Sequence, residues 1–179
     1  MARQDPEPAA GRLRLPRGYR AASGDAALIA WPDVVVRLER ERHYWLATTR
    51  ADGRPHTVPI WGVWVDRALY FNGIPTAGWA RNLARNPAVV VHLESGAHVV
   101  IVEGLAEDLP TVADGALAAR IVAAWDTKYG TLQPDPAADG LYRLRPLIVR
   151  AWRDFPHDAT IWRFAADDQR ANTAATTAE

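Results

Sequence analysis

The chain has 179 residues, 49% of them apolar, with 21 acidic side chains, 21 basic ones and no cysteine. That length and composition suit one domain with a substantial core, and the balanced charge speaks against a nucleic-acid footprint built on bulk positive charge. Without cysteine there is no disulfide, thiolate metal site or cysteine nucleophile; no apolar run approaches a membrane span, and a cytoplasmic protein is expected.

Residues 1–24, rich in proline and arginine, read as a flexible arm whose Leu13, Leu15 and Tyr19 are suited to lie along a partner surface. Residues 25–165 form the folded domain, and 166–179, small and polar, a disordered tail. Trp31-Pro32-Asp33 opens a helix, because proline suits the first turn and an acid there favours the dipole. Val34, Val35 and Leu38 make its apolar stripe, and it gives way near Arg42.

Tyr44 to Thr49 follows as a strand, then a turn through Asp52-Gly53, a strong hairpin signal because glycine tolerates positive φ. The return strand runs from His56 to Val65, turns at Asp66-Arg67 and pairs onward with Ala68 to Asn72. Val89 to Glu94 and the long Val99 to Leu109 form another pair, with a bulge at Gly104 and a cross-strand ion pair for Glu103. A second helix starts at Thr111 or Asp114 and ends at Tyr129, with Leu117, Ile121, Val122 and Trp125 on one face. After a loop from Pro134 to Gly140 come strands at Leu141 to Arg153 and Thr160 to Phe164. The expected fold is mainly β (α+β): a six- to seven-stranded antiparallel barrel with peripheral helices, since closure removes aggregation-prone edges.

Between two of these strands lies Ala77-Gly78-Trp79-Ala80-Arg81-Asn82-Leu83-Ala84-Arg85-Asn86-Pro87, a short helix opening after Thr76. The N–H groups at a helix start lack partners of their own and carry partial positive charge. Arg81, one turn in, adds a forked and permanently charged donor. Thr76 and Arg81 therefore make a compact site for a phosphate, weighed against an ordinary N-cap and a solvated arginine. Asn82 holds the loop by hydrogen bonds or touches the ligand; Trp79 packs in a core or interface, or stacks on a ring. Trp61 and Trp64 fall on opposite faces of one strand, which assigns Trp61 to the site and Trp64 to the core. His56 is a half-exposed sheet residue or a substrate contact. His92 and Glu94 without a third ligand do not make a metal site, and none is expected.

In order and spacing the chain resembles the pyridoxamine 5′-phosphate oxidase-like split β-barrel proteins, in their flavin- and deazaflavin-dependent oxidoreductase branch. The resemblance rests on Tyr44-Trp45-Leu46-Ala47-Thr48, Asp52-Gly53-Arg54-Pro55-His56, Val58-Pro59-Ile60-Trp61, Leu69-Tyr70-Phe71, Arg81-Asn82-Leu83 with Asn86-Pro87, and Val102-Glu103-Gly104. It implies a homodimer with cofactor sites at the interface, and coenzyme F420 or FMN as the carrier. Thr57, Val58, Pro59, Ile60 and Trp61 would lie along the cofactor ring; Thr76, Trp79, Arg81 and Asn82 would bind its phosphate end. The implied activity is hydride transfer from F420 to a small planar acceptor (CH-CH type), with FMN oxidase or reductase chemistry, or non-catalytic cofactor or haem binding, as alternatives. Many relatives carry basic residues where this chain has Ala77, Gly78 and Trp79, which removes two phosphate contacts unless Arg81, Arg85, Arg54 or Arg17 replaces them. No catalytic acid is assigned; solvent or Tyr70 would deliver the proton.

Overall fold

The computed structural model describes residues 7–16, 18–19, 27–110, 112–130 and 139–164. Arg17, most of the 134–140 loop and the 166–179 tail lie outside the described residues. Strand β1 (Ala10–Arg12) is followed by helix α1 (Trp31–Arg40), β2 (Tyr44–Thr49), β3 (Pro55–Ile60), β4 (Gly62–Val65), β5 (Ala68–Gly73) and α2 (Gly78–Leu83). Then come β6 (Ala88–Leu93), β7 (Val99–Asp108), α3 (Gly115–Tyr129), β8 (Gly140–Trp152) and β9 (Thr160–Arg163).

All the strand pairings are antiparallel, and they close on themselves. β2 pairs with β3 and β6, β6 with β7, β7 with β8, β8 with β5, and β5 with β4. Because β4 continues β3 after the single residue Trp61, the circuit is complete: a split β-barrel in which one length of chain serves two half-sheets. The continuous return strand expected over His56 to Val65 is thus broken at Trp61, so that its first half pairs with β2 and its second with β5. Its apolar content is uninterrupted, which is why periodicity alone shows no break there.

Alternation drives the packing. Tyr44, Leu46 and Thr48 of β2 point inward while Trp45, Ala47 and Thr49 stay half-buried outside. Trp31, Val34 and Leu38 of α1 sink into the main core, which holds Phe71, Trp79, Leu144 and Trp162 as well. A smaller core lies under α3, whose Leu117, Ile121, Trp125 and Tyr129 recur every four residues and cover Val63, Ala68 and Tyr70. Asp114 caps α3 by accepting from Ala116 N at 2.8 Å and Leu117 N at 3.2 Å.

The expected bulge is present: the β7–β8 register shifts between Glu103 and Gly104, and Arg150 is the ion-pair partner of Glu103. Part of the arm, by contrast, is ordered as a strand. Ala10, Gly11 and Arg12 pair with β9, giving partners to an edge that would otherwise present unpaired N–H and C=O groups. Tyr19 packs edge-on against Phe155, ring centroids 5.5 Å apart.

Candidate functional site

A cleft of about 280 Å³ opens where the β2–β3 hairpin meets α2, lined by Arg50, Ala51, Asp52, Arg54, His56, Gly78, Arg81, Asn82 and Arg85. Two elements bring its arginines together. On one side the hairpin tip is drawn tight by Gly53 N to Arg50 O and Arg50 N to Arg54 O, both 2.9 Å. Gly53 takes φ 82°, a left-handed turn that glycine adopts without a side-chain penalty. Arg50 and Arg54 therefore leave the tip as neighbours. On the other side Arg81 and Arg85 stand one turn apart, on and just after α2.

The electrostatics of the cleft favour an anion. Arg54 is paired with Asp52 at 2.7 Å, and that hydrogen-bonded guanidinium holds the Asp52 carboxyl below its usual range. Arg50, Arg81 and Arg85 have no ion pair with any carboxylate among the described residues. Three guanidinium groups outside any ion pair line one small cleft, with Arg50 also acting on the Asp52 carboxylate, and that excess of positive charge suits a bound anion. Gly78 adds room: a Cβ there would lie 3.7 Å from His56 Cε1, so that a side chain would narrow the floor between helix and hairpin.

α2 is anchored from below. Asn82 is buried and donates from Nδ2 to the buried Thr48 Oγ1 at 3.0 Å, and Thr48 sits opposite His56 in the β2–β3 ladder. Asn82 lines the cleft while its amide is committed to Thr48.

The remaining residues singled out in the sequence are spread over three environments. Thr57 and Pro59 lie on the exposed side of β3, with Val58 half-buried between them. Trp61 is 39% exposed; Trp64 is in the core, as expected. Ile60 faces the barrel interior and Trp79 is enclosed against Phe71 and Tyr142, 4.8 Å from the latter's ring. Both side chains therefore act in packing and present no surface to the cleft. Thr76 is exposed and one residue too early to cap α2: the N-cap is Ala77, without a side-chain cap. A turn closed by Ala77 N to Ile74 O at 2.9 Å, with Pro75 in its second position, sets that start. Tyr70 is buried under α3, and burial pushes its hydroxyl upward; it does not line the cleft. His92 stacks on Trp45, Glu94 faces His43 at 3.7 Å, and no group of three metal-binding side chains occurs among the described residues.

Arg50 is the contributor that sequence reasoning missed. The signal was there in principle, since residues bracketing an Asp-Gly turn emerge side by side, but nothing in the sequence says that the tip faces α2.

No helix among the described residues is long and apolar enough to cross a membrane. No curated protein matches the chain. Among solved structures, an F420 reductase is 27% identical with a TM-score of 0.50, over 64% of this chain and 93% of its own. A conserved hypothetical protein from Mycobacterium tuberculosis is 23% identical with a TM-score of 0.59, over 72% of this chain and 88% of its own. A FAD-binding protein from Mesorhizobium loti is 21% identical with a TM-score of 0.55, over 74% and 94%. The last two likenesses speak to the fold. The family model described as Pyridoxamine 5′-phosphate oxidase matches residues 31–153, a span that holds the whole closed barrel and the arginine cleft, so the chain belongs to the pyridoxamine 5′-phosphate oxidase family.

Proposed function

We propose that this protein is a cytoplasmic oxidoreductase that uses coenzyme F420 as hydride carrier to reduce a small planar acceptor. The observation that carries the reading is the convergence of Arg50, Arg81 and Arg85, without an ion-pair partner among the described residues, on one cleft beside β3. Such a cleft suits the phosphate end of a cofactor, and three guanidinium groups offset the basic residues missing at Ala77, Gly78 and Trp79. Likeness to an F420 reductase over most of that protein's length supports the choice of carrier.

When bound, F420 supplies the hydride, and the chain's own residues bind and orient. Arg81 of α2 and Arg85 just after it, with Arg50 from the hairpin, would hold the anionic end. Thr57, Val58 and Pro59 of β3, with Trp61 just after them, would provide the surface for the ring. Asn82 holds α2 to β2, fixing the distance between the two halves of the phosphate grip.

We further propose a homodimer with the cofactor between subunits. Trp45, Ala47, Val90, Ile101 and Ile148 lie in adjoining register on the outer face of the barrel and stay half-buried, with His92 and the Glu103–Arg150 ion pair set among them. Covering that mixed face with a second copy would bury its apolar side chains, and would enclose the exposed side of β3.

The test is calorimetric titration of the purified protein with F420, FMN and haem, followed by turnover of planar enone acceptors with reduced F420. Micromolar binding of F420 with acceptor reduction is expected. Binding of FMN in preference to F420 would move the reading to flavin chemistry, and binding without turnover would make the protein a cofactor carrier.

A further inference from the structure

Trp61 belongs to neither half-sheet ladder, so its orientation is set by what its side chain and flanking peptides touch. The last turn of α3 supplies a ring against Trp61 and hydrogen bonds to the Gly62 peptide. The Tyr129 hydroxyl accepts from Gly62 N at 2.9 Å and lies 3.0 Å from Gly62 O and 2.7 Å from Arg42 O, donating its single proton to one of them. Lys128 Nζ donates to the same Gly62 carbonyl at 3.0 Å, to the Tyr44 hydroxyl at 2.6 Å and to Leu38 O at 3.3 Å.

The rings follow the same plan. Trp61 stacks on Tyr129, centroids 5.3 Å apart and planes 17° apart. The Arg42 guanidinium lies 5.2 Å from the Tyr129 centroid. Tyr129 is 5% exposed and wedged against Trp125 at 5.0 Å. It cannot tilt without giving up its bonds to the strand junction. Gly62 leaves no slack either: a Cβ there would sit 2.8 Å from Tyr70 O. An exposed indole thus rests on a buried phenol bolted to the backbone beside it.

We propose that Tyr129, assisted by Lys128, is a positioning residue that fixes the tilt of Trp61 against the planar ring of the bound cofactor. The proposal rests on the reading of β3 and Trp61 as the ring side of the site. Stacking surfaces work by geometry, and a displacement of about 1 Å at a reacting centre costs on the order of a hundredfold in rate. A rigid pedestal under Trp61 is what such a site requires.

The experiment uses the full chain labelled with 5-fluorotryptophan, in which W61F identifies one of eight ¹⁹F signals. Tyr129→Phe removes the hydroxyl's bonds and keeps the ring; Tyr129→Leu removes both. In the free protein the Trp61 signal is expected to move in both variants, more in Tyr129→Leu. Affinity for F420 is expected to weaken about tenfold in Tyr129→Leu and less in Tyr129→Phe. A Trp61 signal unmoved in Tyr129→Phe, the variant least prone to misfold, overturns the pedestal. So does wild-type F420 affinity in Tyr129→Leu, with the functional reading left standing. Wild-type protein that binds neither F420 nor FMN overturns the functional reading and this role with it.

Discussion

Asn82 and Thr48, thirty-four residues apart in sequence, share a buried hydrogen bond of 3.0 Å that fastens α2 to β2. Neither side chain has a charge to contribute, so the bond acts by satisfaction, chiefly of the Asn82 amide, since the Thr48 hydroxyl also donates to His56 O at 3.4 Å. Removing Thr48 strands the buried Asn82 amide, which costs about 1–3 kcal/mol. Removing Asn82 costs less because Thr48 keeps its bond to His56 O, and replacing both with apolar groups of similar shape is nearly neutral. Asn82→Leu and Thr48→Val are each expected to lower the urea midpoint, and the double variant to lose less than the sum. Equilibrium unfolding of the four proteins measures the coupling, and strict additivity would count against it.

The arginine cleft makes a different demand. Arg81 and Arg85 are exposed and have no carboxylate partner among the described residues, so replacing either with alanine should leave thermal stability almost unchanged. A lost charge-assisted bond to an anionic ligand costs about 1.5–3 kcal/mol, which corresponds to roughly 10- to 150-fold in dissociation constant. Asp52→Asn is expected to act in the opposite direction, because it frees Arg54 from its pair. Calorimetry with F420 at two salt concentrations checks all three variants. The effects should shrink as salt rises, since the cleft is open to solvent.

How much of this could be read from the chain depended on whether the determinant was local. Asp52-Gly53 announced its hairpin because glycine's backbone freedom is a property of one residue. Glu103-Gly104 announced a bulge for a similar reason, although its partner Arg150 could be found only once β7 and β8 were in register. The break at Trp61 was invisible, since it arises from which strands the two halves pair with and leaves no mark on the apolar pattern. Strand β1 escaped notice because Ala10-Gly11-Arg12 has no alternation of its own and is ordered by the free edge of β9. Of the candidate site, the sequence placed Arg81 on a short helix, and that helix borders the cleft. The core positions of Trp79 and Ile60 were decided by neighbours distant in sequence, Tyr142 among them.

Gly104 offers a test of the bulge. A Cβ at this position would overlap the Arg145 carbonyl oxygen, part of the β8 backbone, and a backbone atom cannot swing aside as a side chain can. Gly104→Ala should therefore force the two strands apart and cost at least the 1–3 kcal/mol typical of overpacking. Gly96, at an exposed turn, has no atom near its Cβ position, and Gly96→Ala is expected to be close to neutral. Thermal melts of the two variants provide the comparison; equal melting temperatures would mean that β7 and β8 have freedom to separate.

Lys128 gives the fold a pH dependence whose sign can be worked out. Burial lowers its ammonium from 10.5 to about 7, partly opposed by Glu41 and Glu39 and reinforced by Arg42. Between pH 7 and 10.5 the unfolded chain keeps the proton that the folded chain releases. Stability tied to this group therefore rises as pH climbs through that window, and is lost as pH falls back towards 7. Below pH 7 the group is protonated in both states and adds no slope. It is the chain's single lysine, so Lys128→Met removes every lysine contribution at once. Urea midpoints of wild type and Lys128→Met at pH 6.5 and pH 9 should show wild type gaining on the variant at the higher pH. A difference that stays flat would mean that the ammonium is stabilised by Leu38 O, Gly62 O and Tyr44 as fully as it was by water.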